Sequence, residues 1–260
     1  MSWEAGGDLT ACARIVERGD PDRFASAMAA PVAAREALFP LYAFNIEVSR
    51  APWVTAEPMI AGMRLQWWAD ALEEIAVGGT IRRHEVVTPL ARVLDATSAR
   101  QLQTLVEARQ ADIDKAPFDD GAALISYLDA TGGLLMATAA RALGDRDGRA
   151  ARALGTAAGV AAYLCAVPEL VARGKLPLPD GRPEAVRDLA RQGRARLAEA
   201  RAARSDVVPA ARPALWPGAL AGPVLARAEQ APQRVSAGDL MPSEARVRMR
   251  RLWVAATGRW

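Results

Sequence analysis

Alanine and leucine recur along this chain at spacings of three and four, and runs of β-branched residues are short. No other feature constrains the fold as much, because the pattern supplies helix faces and gives a strand nothing to alternate. Apolar periodicity places helices near 8–18, 21–30, 33–50, 57–77, 86–95, 98–114, 120–143, 147–172, 183–204, 218–229 and 243–257. Breaks fall at GDPDR (19–23), APW (51–53), GG (78–79), APFDDG (116–121) and GKLPLPDGRP (174–183). The stretch DVVPAARPALWPG (206–218) holds three prolines, resists any long helix and reads as a surface connection before the closing helices. With no repeat of fixed period and no low-complexity linker, residues 1–260 are expected to form one all-α domain.

Composition narrows the function classes. Hydrophobic residues make up 51% of the chain but aromatics only 5%, so Ala, Leu and Val must fill most of the core. Lys and Arg total 33 against 30 Asp and Glu, a formal charge of +3, which lacks the strong basic excess of a nucleic-acid binder. Two cysteines, Cys12 and Cys165, argue neither a disulfide framework nor a zinc site, and point to a reducing compartment. The opening MSWEAGGDLT carries Glu4 and Asp8 and no apolar signal-peptide core, and no membrane-spanning helix is expected. These features predict a cytoplasmic protein.

Two stretches invite a chemical reading. Around LYAFNIEVSRAPW (41–53), in the helix of Arg35 to Arg50, Leu38, Leu41, Tyr42, Asn45, Val48 and Ser49 share one side. Such a face suits a lined cavity, or equally a core helix with a few satisfied polar groups. Pro52 disfavours helical geometry at Ala51, so this helix should stop at about Arg50. In LGTAAGVAAYLCAVPELVARGKLPLP (154–179), Gly159, Ala162, Ala166 and Leu170 form one face of small or apolar residues. Pro168 within it removes a backbone hydrogen bond at about 3 kcal/mol, so a kink or break is expected there. Glu169 is the only acid between Asp147 and Asp180.

These stretches, with MRLQWWADALEEI (63–75), EARQADID (107–114) and YLDATGGLLMATAARALG (127–144) in order between them, resemble the squalene/phytoene synthase family. The likeness covers nearly the whole chain and implies a helical isoprenoid-synthase bundle around a central cavity. In that family carboxylates four apart on two facing helices hold magnesium ions that bind prenyl diphosphates and help the leaving group ionise. Laid over this sequence, the first motif's acids fall on Ser49, Arg50 and Trp53 and its arginine on Ile46. The second motif's acids fall on Ala166, Glu169 and Leu170, its asparagine on Ala162 and its arginine on Cys165. One acid of six remains, so the resemblance implies a retained scaffold, a vestigial diphosphate site and neither a metal site nor a cofactor. Tyr42, Asn45, Ile46, Gly133, Ala162 and Cys165 are then candidates to line the cavity.

Within the family, AFNIEVSRAPWVTAEPMIAGMRLQWWADALEEI resembles the branch of mitochondrial respiratory complex I assembly factors, which also replaces the metal-binding acids. That likeness implies a non-catalytic accessory factor for NADH:quinone oxidoreductase, with complex I subunits or intermediates as partners and peripheral contact with the inner membrane. Two alternatives stand beside it. One is a magnesium-dependent prenyltransferase condensing two prenyl diphosphates through Glu169, Asp112, Asp114 and Arg50. The other is a carrier of an isoprenoid or quinone lipid.

The remaining features read more plainly. His84, the only histidine, is expected to be a solvated loop residue. Asp112 and Asp114 suit either a pocket edge or a solvated helix end. Gly132 and Gly133 mark close helix packing, in a helix that lines the cavity in this family. Trp67 and Trp68 cannot share a helix face, so at least one should be core. The segment SEARVRMRRLWVAATGRW (243–260) reads either as a closing helix with a solvated basic face or as an interfacial helix.

Overall fold

The structure is a computed structural model that describes residues 7–55, 57–114 and 116–260. Its first helices follow from local chemistry. α1 (Asp8–Gly19) gives way to α2 (Pro21–Ala29) where Asp20 caps the new helix, its carboxylate accepting the Arg23 N–H at 2.9 Å. Pro21, just inside the start of α2, forgoes an amide that would have no helical partner anyway. α3 (Val32–Arg50) carries Pro40 without interruption and ends where expected, with Ala51–Trp53 in a single 3₁₀ turn.

α4 (Pro58–Ala76) comes next, and the helix expected at 86–95 shrinks to α5 (Val87–Leu90). Asp95 fixes where the next helix begins. Its carboxylate accepts the Ser98 N–H at 2.7 Å and starts α6 (Ala96–Ala108), so the earlier helix cannot run through it. The expected 98–114 helix accordingly starts early and stops at Ala108, followed by a 3₁₀ turn at Arg109–Asp112.

Asp120 caps α7 (Gly121–Leu128), which passes through a π turn at Asp129–Gly133 into α8 (Leu134–Ala142). α9 (Arg149–Ala172) runs through Pro168 without a break, contrary to the interruption expected there. One missing amide is tolerated because the proline sits in the last turns of a long helix buried among neighbours. α10 (Pro183–Ala202), α11 (Arg212–Leu215), α12 (Ala221–Gln230), α13 (Gln233–Ala237) and α14 (Glu244–Thr257) complete the chain. No strand occurs among the described residues.

α9 forms the middle of the bundle, packed on α8, α10, α12 and the π turn. Its approach to the π turn depends on glycine. A Cβ on Gly155 would lie 2.4 Å from the Gly132 carbonyl oxygen, and one on Gly133 would lie 2.7 Å from Thr156 Oγ1. The 206–218 segment is a correction: Val207, Ala211, Ala214 and Leu215 are buried, because α11 packs on α8 and α9 rather than bridging over the surface. A single buried apolar cluster runs from Cys12 to Trp260. Gly121–Ala142 and Arg149–Ala172 are long and apolar enough to cross a membrane by length and composition alone. Here they pack against each other, and their apolarity serves the core.

Candidate functional site

The end of α9 is built by a Schellman turn. Gly174, at φ +79°, donates its N–H to Val171 O at 2.9 Å, and Lys175 donates its own to Leu170 O at 3.0 Å. This closure folds Lys175 back over the helix end. The 3₁₀ turn after α3 brings Trp53 to the same place, with Arg173 Cζ and Lys175 Nζ each 5.0 Å from the centre of its indole. The ends of the two motif helices therefore meet, as the resemblance implies. They meet through an aromatic ring and two cations rather than through acids and metal.

The other residues at the six acid positions are accounted for locally. Ser49 Oγ donates to the Ile46 carbonyl at 3.0 Å on its own helix, and the exposed Arg50 pairs with Glu47 at 3.9 Å. Glu169 is exposed and bonded to Arg173, one turn along the same helix. Ala166 and Leu170 are half-buried, as is Cys165, and Ala162 is exposed. A solvated strip of small side chains thus runs along this part of α9.

Next to it lies a cluster the sequence reading did not assemble. Tyr127 donates its hydroxyl to Asp112 Oδ1 at 2.8 Å. Arg109 Nη1 donates to the Tyr127 oxygen at 2.6 Å and to Asp112 Oδ2 at 3.0 Å. Lys175 Nζ donates to the Asp112 backbone carbonyl at 2.6 Å, tying the cluster to Trp53. Burial holds the Tyr127 phenol well above its usual range, so it acts as a hydrogen-bond donor and not as a base. Burial also lowers the Lys175 ammonium, with the charges of Asp112 and Asp114 opposing the shift. A local signal existed, since Arg109 and Asp112 are three apart. Tyr127, 15 residues beyond Asp112, gave none. Asp114 is exposed, accepts the Ala116 N–H at 3.0 Å and stays outside the cluster.

Several cavity candidates turn out to be packing residues. Ile46 faces α1, since a Cβ on Gly19 would come within 2.8 Å of its Cγ2. Tyr42 faces α2, with Arg23 Cζ 5.7 Å from its ring centre and its buried hydroxyl without a hydrogen-bond partner. Gly133 faces α9, as described, and Asn45 is buried within α3. The reason is that α3 is buried on several sides, so a shared face in the sequence does not pick out which neighbour it meets.

His84 also departs from expectation. It is half-buried against Trp67 and Trp68, with ring centres 5.1 and 5.5 Å away, and its Nδ1 accepts the Val86 N–H at 3.1 Å. With Glu47, Ile60, Met63 and Arg64 these rings line a pocket of about 470 Å³. Trp68 is core and Trp67 partly exposed, as their adjacency requires. Above the pocket, Met59, Ile60, Met63 and Trp67 form an exposed apolar stripe along α4.

Do the residues present suit magnesium? A diphosphate-binding metal cluster needs several hard oxygen donors converging on one space. Among the described residues no group of three His, Cys, Asp or Glu side chains is placed to hold a metal ion. Of the six expected positions only Glu169 carries a carboxylate, and Arg173 engages it. The donor set does not fit the family's metal.

Comparison with known proteins agrees with this architecture. The squalene/phytoene synthase family pattern matches residues 16–181. The fold is shared with a squalene synthase, HpnC, from Alicyclobacillus acidocaldarius (TM-score 0.70, 20% identity, covering 86% of this chain and 93% of the other). It is also shared with a ligand-bound dehydrosqualene synthase (TM-score 0.76, 15% identity, covering 96% and 94%). In sequence the chain is similar to complex I assembly factor 6 proteins. The Drosophila melanogaster homologue is 32% identical over 176 residues, covering 64% of this chain and 52% of the relative. The human protein is 24% identical over 183 residues, covering 65% and 52%. The chain spans about half the length of these relatives. A family pattern that includes both motif helices, on a bundle of the same fold, leaves one assignment: the chain belongs to the squalene/phytoene synthase family.

Proposed function

We propose that this chain is a non-catalytic accessory factor in the assembly of respiratory complex I, acting as a peripheral protein at the cytoplasmic face of a membrane. One observation carries the reading. Both motif stretches form helices, yet Ser49, Arg50, Trp53, Ala166 and Leu170 stand where the family's motifs carry acids, and Trp53 packs against Arg173 and Lys175. The likeness to proteins named as complex I assembly factors supports the direction of the change. The exposed stripe on α4 offers the kind of apolar surface that protein partners cover.

Deleting the gene and resolving membranes on native gels tests the reading. Less mature NADH:quinone oxidoreductase is expected, restored by the intact gene, and unchanged abundance and activity would refute it. The purified protein, incubated with farnesyl diphosphate and magnesium, is expected to give no condensed product. Product that disappears in Glu169→Ala would establish the transferase instead.

A further inference from the structure

The closing helix is amphipathic in the reverse sense of an ordinary surface helix. On α14, Val247 and Val254 face the core, while Met249 and Leu252 are each 71% exposed and Trp253 is 42% exposed. At 100° per residue, Ala245, Met249, Leu252 and Ala256 share the outward side. Two arginines sit exposed on its flanks: Arg246 on one side and, on the other, Arg248, which pairs with Glu244 one turn back at 3.4 Å across solvated side chains. The two closer to the core are anchored inward. Arg250 donates to the Ala219 carbonyl at 3.2 Å, and Arg251 pairs with Asp22 of α2 at 2.5 Å. The solvated basic face considered from the sequence is thus an apolar face with cationic borders.

We propose that α14 is a membrane-docking helix that lies in the interface of an anionic lipid bilayer. An outward apolar side bordered by arginines, with a tryptophan at the edge, matches the depth-ordered chemistry of that interface: acyl chains beneath, phosphates at the sides. Charge favours lipid, because Glu244, the only acid on α14, is paired with Arg248, Asp22 beside the helix is paired with Arg251, and Arg246 and Arg248 are the arginines left at the solvent side. A groove of about 390 Å³ between α2 and α14, walled by Ala25, Ala29, Trp216, Leu252 and Ala255, adjoins the same surface and gives an acyl chain room to enter. The assignment deepens the peripheral-membrane part of the proposed function and says nothing of the protein partner.

The test uses the purified full chain and lipid alone, so its outcome is separable from that of the gene deletion. Co-sedimentation is measured with vesicles of phosphatidylcholine plus phosphatidylglycerol, and with phosphatidylcholine alone. Binding is expected to the anionic vesicles and to weaken with salt. Leu252→Glu should weaken it at least tenfold, given about 0.8 kcal/mol for each buried methylene lost. Arg246→Gln with Arg248→Gln should weaken it about 25-fold, from about fivefold for each arginine near the surface. Met63→Glu on α4 should bind as wild type. All four positions are exposed, so thermal melts of the variants should match the parent. Wild type that stays in the supernatant, or a Leu252→Glu variant that sediments like wild type, would overturn the proposal and leave this face to a protein. Equal loss in Met63→Glu would overturn the assignment to α14.

Discussion

Substituting alanine for glycine on α9 should change stability in opposite directions at two positions one turn apart. At Gly155 the added Cβ would sit 2.4 Å from the Gly132 carbonyl oxygen, 2.8 Å from Met136 Cβ and 3.0 Å from Gly133 Cα. Ordinary contact begins at 3.4 Å, so α9 and the π turn must part by about 1 Å. The obstacle is backbone, which no rotamer change can move aside. Overpacking of this kind costs about 1–3 kcal/mol, and the upper end applies here. Alanine's better helix propensity returns about 1 kcal/mol. The net loss is about 2 kcal/mol, a fall in Tm of about 4–8 °C for a chain of this size. At Gly159 the nearest atoms are Leu128 O at 3.5 Å and Leu128 Cβ at 3.6 Å, so nothing needs to move. Gly159→Ala should keep the propensity gain of up to about 1 kcal/mol and raise Tm by about 2–4 °C. Thermal melts followed by circular dichroism at the helix band would measure both. If Gly155→Ala melts at or above wild type, the close crossing of α9 and the π turn is not a determinant of stability. If both variants fall together, propensity has been misjudged.

Two further expectations rest on single side chains. Asp95 caps α6 and holds Arg141 through bonds of 3.0 and 2.7 Å, which keep its carboxyl well below the usual carboxylate range. Its side chain is half exposed, so the ion pair is worth only about 0.2–1 kcal/mol on top of about 1 kcal/mol for the cap. Asp95→Ala should therefore lose about 1–2 kcal/mol near neutral pH, and Asp95→Asn, which still caps, should lose less. Because the folded-state value is depressed, the wild-type advantage is complete above the ordinary aspartate pKa of about 4 and shrinks as pH falls below it. Urea melts across that range would show the gap closing, and a gap constant down to strong acid would refute the assignment. The thiols should differ too. Cys12 is fully buried, donates to the Glu85 carbonyl at 3.4 Å and is pushed up to about 12 by burial, while half-buried Cys165 is raised by burial but reachable. Titration with a disulfide reagent should modify Cys165 slowly in the native protein and Cys12 only after denaturation; equal rates would contradict this.

What could be read in advance follows the range of the forces involved. α3, α9 and α10 were legible because apolar period, proline starts and glycine stops all act within a few residues. Asp95 was misread since an aspartate inside an apolar run looks like a tolerated helix residue until its carboxylate is seen on the Ser98 amide. The 206–218 segment was misplaced because prolines report local backbone shape and say nothing about burial, which α8 and α9 impose from a distance. The overlay on the family motif set α3 opposite α9, and the contact between their ends runs through Trp53, Arg173 and Lys175. It could not say what fills the gap once the acids are gone. Trp53 meets Lys175 across 122 residues, and Tyr127 meets Arg109 across 18, so no spacing rule connects them.

The scaffold folds without acids at those positions because none of its supports lies among them. The Gly132–Gly155 crossing, the aspartate caps and the Schellman turn at Gly174 would stand with or without a metal. Carboxylates gathered for a missing ion would instead repel one another, and replacing them with Trp53 beside two cations turns that repulsion into contacts of about 0.5–1 kcal/mol each. The same change occupies the cations a diphosphate would need. Arg50 turns to Glu47, Arg173 to Glu169 and the indole, and Lys175 to the Asp112 carbonyl and the indole. These ion pairs are solvated, and Met59 and Met63 on α4 and Met249 and Leu252 on α14 are likewise exposed. In the proposed function the α4 stripe is the surface suited to a protein partner, and the α14 face is the one suited to lipid.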